Sequence, residues 1–148
     1  MRINLGCGDV HMDGFVNVDI RETEATDVVA DASEYLKGLE ADSVLQIEMH
    51  HVVEHLDKTA VPPLLAQAAR VLKSGGFIAI ECPNMGRMPA ILTEGALRLI
   101  YGGQEHEHDY HKWGYTPQTL GKLVEGAGLR VSGNGDWSPG IRLVGVKP

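Results

Sequence analysis

The stretch Arg2-Ile3-Asn4-Leu5-Gly6-Cys7-Gly8-Asp9 runs from a short apolar segment directly into two glycines. The apolar segment predicts a β-strand, and glycine after a strand lets the backbone turn sharply and approach a ligand closely. An ordinary tight turn would use the same residues. A nicotinamide-dinucleotide fingerprint would need a third glycine where this sequence has His11. The stretch therefore predicts a strand followed by a ligand-binding turn and disfavours a nicotinamide-dependent oxidoreductase.

Strand and helix signals alternate along the rest of the chain. Further strands are predicted at 15–20, 26–30, 43–47, 77–80, 129–132 and 141–146. Apolar spacing predicts a helix over 60–73 that ends at Gly75-Gly76, a helix from Thr116-Pro117 to Gly128, and a weaker one over 33–39. The alternation indicates parallel βαβ units, but the last two strands are too close for a crossover helix and must pair antiparallel. The sequence therefore predicts an α/β fold with a Rossmann-like open sheet, mostly parallel, and an antiparallel C-terminal hairpin.

The composition fits a single domain over residues 1–148. The 16.0 kDa chain is 43% hydrophobic and carries a net charge of −7, with no run of Lys or Arg. An acidic chain is a poor partner for a nucleic-acid backbone, so nucleic-acid binding is disfavoured. No apolar stretch approaches the roughly 20 residues of a membrane helix, and the N-terminus has no apolar signal-peptide core. We therefore expect a cytoplasmic protein without a membrane segment, in which Cys7 and Cys82 form no disulfide.

Two acidic residues end the second and third predicted strands. In open α/β sheets, ligands bind outside the carboxyl ends of the strands, where the strand order reverses. At such an end Asp19 could accept hydrogen bonds from a ribose diol, or it could be a solvated surface acid. The glycines one strand earlier favour the ribose interpretation. Asp31 could accept a hydrogen bond from an adenine amino group, cap the helix that starts near Ser33, or do both.

Five motifs follow one another in order over nearly the whole chain. They are Asn-Leu-Gly-Cys-Gly at 4–8, Asn-Val-Asp at 17–19, Ala-Asp-Ala at 30–32, His-Val-Val-Glu-His-Leu at 51–56 and Arg-Val-Leu-Lys-Ser-Gly-Gly at 70–76. A Trp-Gly-Tyr-Thr-Pro block at 113–117 comes after them. In this order the motifs resemble the class I S-adenosylmethionine-dependent methyltransferases, most closely the small stand-alone methyltransferase-domain type.

This resemblance implies a seven-stranded sheet with one reversed strand, and we expect helices on both faces of it. It also implies S-adenosylmethionine as the cofactor. By the resemblance, Gly6, Cys7 and Gly8 would pass under the methionine part and Asp19 would hold the ribose hydroxyls. Asp31 and Ala32 would flank the adenine, while Glu48, Met49 and His50 would line the methionine and methyl end.

The chain departs from the pattern of this family in three places. The glycine loop lacks the third glycine. We expect the first helix to be reduced to about 11–14, and we expect no helical N-terminal extension of the kind found in the family. These departures predict a cofactor site that is open, or one that a partner subunit completes.

The histidines suggest a metal hypothesis that the sequence only weakly supports. His51 and His55 are four residues apart, as on one face of a helix, and a loop could gather His106, His108 and His111. However, Glu54 is in the wrong place for a zinc-protease helix, and the resemblance already accounts for the first pair. We therefore expect no metal.

Methyl transfer requires the nucleophile, the methyl carbon and the sulfur to be aligned, and a base where the acceptor must lose a proton. Histidine suits the role of base near neutral pH. The candidate catalytic residues are His51 and His111, with Asp109 and Tyr110 as supporting polar groups. The alternative for each of them is a surface or capping role.

Residues 83–112 form a long connection after the fifth predicted strand. Such connections are usually functional in compact domains, so we interpret it as a lid or acceptor-binding insert. The alternative is a surface helix that packs on the core or makes the contact of a homodimer. The favoured function is methyl transfer from S-adenosylmethionine to a small-molecule or glycan-type acceptor. The second hypothesis is a non-catalytic methyltransferase-like module that binds a nucleoside cofactor or a protein partner.

Overall fold

The computed structural model describes residues 1–88, 93–137 and 140–148. Within these ranges the strands are β1 (Arg2–Leu5), β2 (Val16–Asp19), β3 (Val28–Val29), β4 (Val44–His50), β5 (Leu72–Pro83), β6 (Arg130–Trp137) and β7 (Gly140–Val146). The α-helices are α1 (Ala32–Lys37), α2 (Val61–Val71), α3 (Glu94–Tyr101) and α4 (Pro117–Gly126), and short 3-10 helices cover Val53–His55 and Met85–Arg87. No helix in these ranges has the length and apolar character needed to cross a membrane.

The seven strands form one sheet in the order β3-β2-β1-β4-β5-β7-β6. Strands β1 to β5 pair in parallel, whereas β7 runs antiparallel to both β5 and β6. The predicted open sheet with an antiparallel C-terminal hairpin is therefore confirmed. The chain adds β2 and β3 on one side of β1 and then β4 and β5 on the other. This reversal places the ligand crevice of the fold between the carboxyl ends of β1 and β4.

One face of the sheet carries the apolar core. The strand register aligns Ile3, Ile47 and Ile78 in one row across this face, and all three are fully buried. Helices α1, α2 and α4 bury side chains in the same cluster, among them Leu36 from α1, Leu64 and Leu65 from α2, and Leu120 and Val124 from α4. Because apolar residues recur at helical spacing in α2 and α4, each helix offers one continuous apolar stripe to the sheet.

The opposite face of the sheet differs from the first in the polarity of its side chains. The three helices that join the core cluster pack on the first face, and the opposite face carries polar side chains such as Gln46, Glu48 and Arg142. Residues 6–15, between β1 and β2, form turns in place of the helical stub expected at about 11–14. Side-chain amides explain this, because Asn4 donates to the carbonyl of Val10 and the Asn17 side chain accepts from the backbone N–H of Met12. These bonds hold the backbone in a non-helical path.

The boundary between α2 and β5 also differs from the prediction. We expected a helix over 60–73 that the two glycines would end, but α2 stops at Val71 and β5 runs through Gly75 and Gly76. The N–H of Gly75 donates to the Lys147 carbonyl, and the N–H of Lys147 donates to the Gly76 carbonyl, both at 2.9 Å. Pairing with the distant C-terminal end of the chain therefore extends the strand where local pattern indicates a helix end.

The connection between β5 and α4 contains the third helix. The apolar residues over 90–101 follow helical spacing and predict a helix there. That stretch lies partly outside the described residues, and α3 covers Glu94–Tyr101 with Thr93 as its N-cap. Helix α4 begins as predicted, since the Thr116 side chain accepts from the N–H of Thr119 and proline occupies the first turn.

Candidate functional site

A pocket of about 780 Å³ opens at the carboxyl ends of strands β1 to β4. Its walls come from the glycine loop after β1, the ends of β2 and β3, residues 50–56 after β4, and residues 106–112 of the β5–α4 connection. Of the site residues predicted from sequence, those that line it are Gly6, Cys7, Gly8, Asp19, Asp31, Ala32, His50 and His51. Glu48, Met49 and His111 do not belong to its lining.

The glycine loop is held against both neighbouring strands. Gly6 and Gly8 have φ angles of 75° and 55°, in the left-handed region that favours glycine. A Cβ atom on Gly6 would lie 2.4 Å from Cγ2 of Val52, which follows β4. The backbone of the glycine loop therefore packs directly on Val52. Any side chain at position 6 would prevent this contact, so the position requires glycine.

Asp19 lies at the end of β2 and is 8% exposed. One carboxylate oxygen, Oδ2, accepts from the N–H of Gly8 at 2.7 Å, and the other, Oδ1, accepts from the N–H of Arg21 at 2.9 Å. The guanidinium Nε of Arg21 lies 3.6 Å from Oδ1. Each carboxylate oxygen can accept a second hydrogen bond. The side chain is thus fixed in orientation and keeps acceptor capacity towards the pocket.

Asp31 has the capping role predicted for it. It is the N-cap of α1, because its Oδ1 accepts from the N–H groups of Ser33 and Glu34 at 2.9 and 3.1 Å. It is also exposed and lines the pocket together with Ala32. The capping geometry therefore holds the carboxylate at the pocket rim.

The two cysteines are buried and unpaired with each other, as expected. Cys7 lies in the pocket wall near Thr26, with its Sγ 3.7 Å from the threonine hydroxyl. Burial raises the pKa of the Cys7 thiol, so the thiol is protonated near neutral pH. It contributes packing, and its chemistry is not that of a nucleophile.

A network of charged side chains surrounds His50, the last residue of β4. The ring of His50 bridges two carboxylates, with Nε2 2.9 Å from Glu48 and Nδ1 3.1 Å from Glu81. Arg142 on β7 also contacts both carboxylates. Burial opposes ionisation of Glu48, but hydrogen bonds with His50 and Gln46 and the charge of Arg142 outweigh it and lower its pKa. Glu48 therefore acts on the pocket through His50, which lines it.

His51 has an unusual backbone and a buried partner. Its φ angle of 54° places it in the left-handed region, so His51 and His55 do not share a continuous helix as their spacing suggested. Its Nδ1 lies 2.8 Å from Oε1 of Glu54, whose side chain is 1% exposed. The hydrogen bond with Glu54 raises the pKa of His51 more than burial lowers it. The ring is thus oriented by a buried carboxylate at the pocket wall.

The other histidines divide into a half-buried pair and an exposed pair. His55 and His111 meet edge to face, with ring centroids 4.7 Å apart. Burial lowers the pKa of His55, which favours its neutral form. His106 and His108 are exposed and line the pocket mouth, with centroids 6.3 Å apart. The structure therefore separates His111 from the other two members of the predicted loop cluster.

The fold of the chain is shared with solved methyltransferases. No protein-family model matches the chain, and no curated protein does. A SAM-dependent methyltransferase from Archaeoglobus fulgidus superposes with a TM-score of 0.74 at 21% identity, over 99% of this chain and 85% of that one. The 1,6-didemethyltoxoflavin-N1-methyltransferase of Burkholderia thailandensis, with 1,6-didemethyltoxoflavin and S-adenosylhomocysteine bound, gives 0.69 at 13% identity, over 99% and 70%. A chain of the complex between the Haloferax volcanii Trm112 activator and a putative methyltransferase gives 0.64 at 16% identity, over 99% and 82%.

These structural similarities identify the fold of the chain. The chain has the class I S-adenosylmethionine-dependent methyltransferase fold. In this methyltransferase fold the pocket occupies the reversal of strand order beside β1, where open α/β sheets bind their ligands.

The sequence did not indicate several residues that lie at or near the pocket. Val52 lines the pocket, and Glu54 lies next to it as the partner of His51; both are inside the 51–56 motif, which was the signal that could have found them. No sequence motif indicates Arg21 or Lys112. Both residues lie in loops, and the paths of these loops bring them to the pocket. Tyr110 supports the site through its backbone, because its carbonyl lies 3.2 Å from Nδ1 of His55.

Proposed function

We propose that this chain binds S-adenosylmethionine in the pocket at the carboxyl ends of β1 to β4 and transfers its methyl group to a small-molecule or glycan-type acceptor. The observation that carries the proposal is Asp19. A carboxylate that is 8% exposed, oriented by two backbone N–H groups and still able to accept hydrogen bonds, ends β2 beside the reversal of strand order. That arrangement suits a ribose diol.

The residues of the pocket fit the three parts of this cofactor. Asp19 would hold the ribose hydroxyls, and Asp31 with Ala32 would flank the adenine. Gly6, Cys7 and Gly8 would pass under the methionine part, in the cradle that a Cβ on Gly6 would fill. His50, fixed by Glu48, would line the methyl end. When bound, the cofactor supplies an activated methyl group on a sulfonium sulfur.

His51 is the base of this proposal. It lines the pocket, and Glu54 fixes its Nδ1, as a positioning residue does for a general base. When bound, the cofactor would supply the methyl group to the acceptor atom and leave as S-adenosylhomocysteine. His51 would take the proton that the acceptor loses. Of the two histidines predicted from sequence as bases, His51 has the position for this role, because His111 packs on His55 behind the wall.

The size and lining of the pocket support a small acceptor. A volume of about 780 Å³ lies within the range of about 300–1,000 Å³ that is typical of small-molecule sites. His106, His108, Asp109 and Lys112 bring the β5–α4 connection into the lining, which suits the acceptor-binding role proposed for residues 83–112. The net charge of −7 disfavours a nucleic-acid acceptor. The cytoplasmic location and the homodimer stay predictions.

Calorimetric titration of the full chain with S-adenosylmethionine, S-adenosylhomocysteine and NAD tests the cofactor. We expect the first two to bind and NAD not to bind. Asp19→Ala should weaken binding about tenfold to a hundredfold, because hydrogen bonds to a charged group contribute roughly 1.5–3 kcal/mol. Asp13→Ala, which removes a fully exposed carboxylate outside the lining, is the matched control and should leave the affinity unchanged. Equal affinity of Asp19→Ala and the parent chain would refute the ribose assignment.

Methyl transfer itself is tested by release of S-adenosylhomocysteine in the presence of a panel of phenols, carboxylic acids, sugars and nucleotide sugars. Release that depends on one class of acceptor supports the enzyme. Cofactor binding with no acceptor-dependent release across the panel would favour the non-catalytic module.

A further inference from the structure

The strongest unexplained feature outside the cofactor-binding wall is the carboxylate of Glu54. Its side chain is 1% exposed, and Oε1 is engaged with His51 at 2.8 Å. The other oxygen, Oε2, is one of the buried side-chain atoms in the described part of the chain that have no hydrogen-bond partner. Leaving such a group unsatisfied costs about 1–3 kcal/mol, and more when it is charged. A buried carboxylate oxygen of this kind needs a ligand or a proton to account for it.

Two imidazoles lie close to the Glu54 carboxylate. One candidate ligand atom from each of Glu54, His55 and His111 lies within 4.8 Å of the other two. Nδ1 of His55 lies 3.2 Å from the carbonyl of Tyr110, and Nδ1 of His111 lies 2.9 Å from the carbonyl of Leu99. A carbonyl only accepts, so each Nδ1 is the donor, and Nε2 is the ring nitrogen left to face a metal ion. Histidines that bind metals are oriented by this kind of bond from the other ring nitrogen.

The backbone holds the three side chains together across the chain. The N–H groups of Lys112 and Trp113 both donate to the carbonyl of Glu54, at 2.7 and 3.2 Å. The segment that follows His111 is therefore clamped onto the 3-10 helix that carries Glu54 and His55. This clamp, and not local sequence spacing, brings the two histidines into contact at 4.7 Å.

We propose that Glu54, His55 and His111 form a binding site for a divalent transition-metal ion of the Zn²⁺ class. Two imidazole nitrogens and one carboxylate oxygen are a ligand set that Zn²⁺ uses, whereas Mg²⁺ and Ca²⁺ prefer oxygen ligands throughout. Ligand atoms around tetrahedral Zn²⁺ lie about 3.3 Å apart. Rotation of the Glu54, His55 and His111 side chains would bring their ligand atoms from within 4.8 Å of one another to that separation. Three protein ligands leave a fourth position open. The ion would tie the β4–α2 connection to residues 102–113.

The site does not depend on the proposed methyl transfer, and its test needs no cofactor. The full chain is titrated with Co²⁺, whose visible absorption reports tetrahedral coordination by nitrogen and oxygen. We expect about one ion per chain, displaced by Zn²⁺ and not by Mg²⁺. His111→Ala should weaken binding by more than about a hundredfold, since loss of an outer-shell partner alone costs 10–100-fold. Zn²⁺ should raise the melting temperature of the parent chain and not that of His111→Ala.

His108→Ala is the matched control, because His108 is an exposed histidine of the same connection and lies outside the three-residue group. It should bind Co²⁺ as the parent chain does. Loss of binding in His108→Ala would assign the ion to the loop histidines and overturn the proposal, as would the absence of binding in the parent chain. Glu54→Gln keeps the size of the side chain and removes the charged ligand. It is the second variant for the Co²⁺ titration, to be used if His111→Ala fails to fold. Undiminished Co²⁺ binding in Glu54→Gln or in folded His111→Ala would also overturn it.

Discussion

The two sides of the pocket are built in different ways. The glycine side comprises the loops after β1, β2 and β3, and its key bond joins Gly8 to Asp19, 11 residues apart. The histidine side comprises residues 50–56 and 103–113, and its contacts join His55 to Tyr110, 55 residues apart. Short-range turns thus shape the first side, while tertiary packing assembles the second. The difference indicates that binding and chemistry can be changed separately by mutation.

The largest effect should come from His51 on the histidine side. We expect His51→Asn to lower turnover about 10²–10⁴-fold, the contribution typical of a positioned general base, and to leave the affinity for S-adenosylhomocysteine unchanged. Asparagine tolerates the left-handed backbone of this position, so the fold should persist. Turnover is measured on the acceptor identified in the panel.

The matched variant on the other side is Asp19→Ala, which should raise the dissociation constant. If His51→Asn weakened cofactor binding as much as Asp19→Ala does, the two sides would not be separable. Turnover of His51→Asn at the rate of the parent chain would show that another group accepts the proton.

The next largest effect concerns the contact between the glycine side and the histidine side, where Gly6 packs on Val52. Gly6→Ala places a Cβ 2.4 Å from Val52 and also forces alanine into a left-handed conformation. The conformation costs about 1–2 kcal/mol and the overpacking about 1–3 kcal/mol. We therefore expect the free energy of unfolding, measured with urea, to fall by about 2–5 kcal/mol and the affinity for S-adenosylhomocysteine to fall with it.

Gly128→Ala separates the two causes. Gly128 has a φ of 88°, and a Cβ there would meet nothing within 4 Å, so only the conformational cost applies. Adding Val52→Ala to Gly6→Ala should recover the part due to overpacking. Equal losses in Gly6→Ala and Gly128→Ala would show that the contact between glycine loop and Val52 is not tight.

Local sequence rules predicted the features that depend on neighbours along the chain. Asp31 and Thr116 precede helices and cap them, and the close spacing of the last two strands forces them to be antiparallel. The glycine side was recoverable for the same reason, since the turn residues and the acid that ends β2 are adjacent to the strands that position them.

The histidine side was only partly recoverable: His50 and His51 line the pocket, but the contacts of this side depend on how the β5–α4 connection returns to the sheet. The spacing of His51 and His55 suggested one helix face, but the left-handed backbone of His51 breaks that pattern. The backbone N–H groups of Lys112 and Trp113 donate to the carbonyl of Glu54, although these residues are 58 and 59 positions away in the sequence. The extension of β5 through Gly75 likewise depends on Lys147 at the far end of the chain.

A smaller effect concerns the network that supports His50. Because the pKa of Glu48 is lowered in the folded chain, its ionised form contributes stability above the ordinary value of 4.5, and that contribution is lost as pH falls through the folded pKa. Glu48→Gln should therefore lower the free energy of unfolding by about 1–3 kcal/mol at pH 7, and the difference from the parent chain should shrink in acid below that value. Urea unfolding over a pH series measures it. Glu125→Gln, at an exposed position of α4, should change little at any pH; a difference for Glu48→Gln that does not depend on pH would contradict the charge argument.

The smallest effect separates the two roles of Asp31 on the glycine side. Asp31→Ala removes the cap of α1 and should cost about 0.5–2 kcal/mol of stability, whereas Asp31→Ser keeps a capping oxygen and should cost little. Both should lose one hydrogen bond to the adenine amino group, about 1 kcal/mol or roughly fivefold in affinity. S-Inosylhomocysteine lacks that amino donor, so the parent chain should prefer the adenosyl ligand and Asp31→Ser should bind both alike. If Asp31→Ser kept the preference, Asp31 would be a cap alone, and the recognition of adenine would rest on the backbone at Ala32.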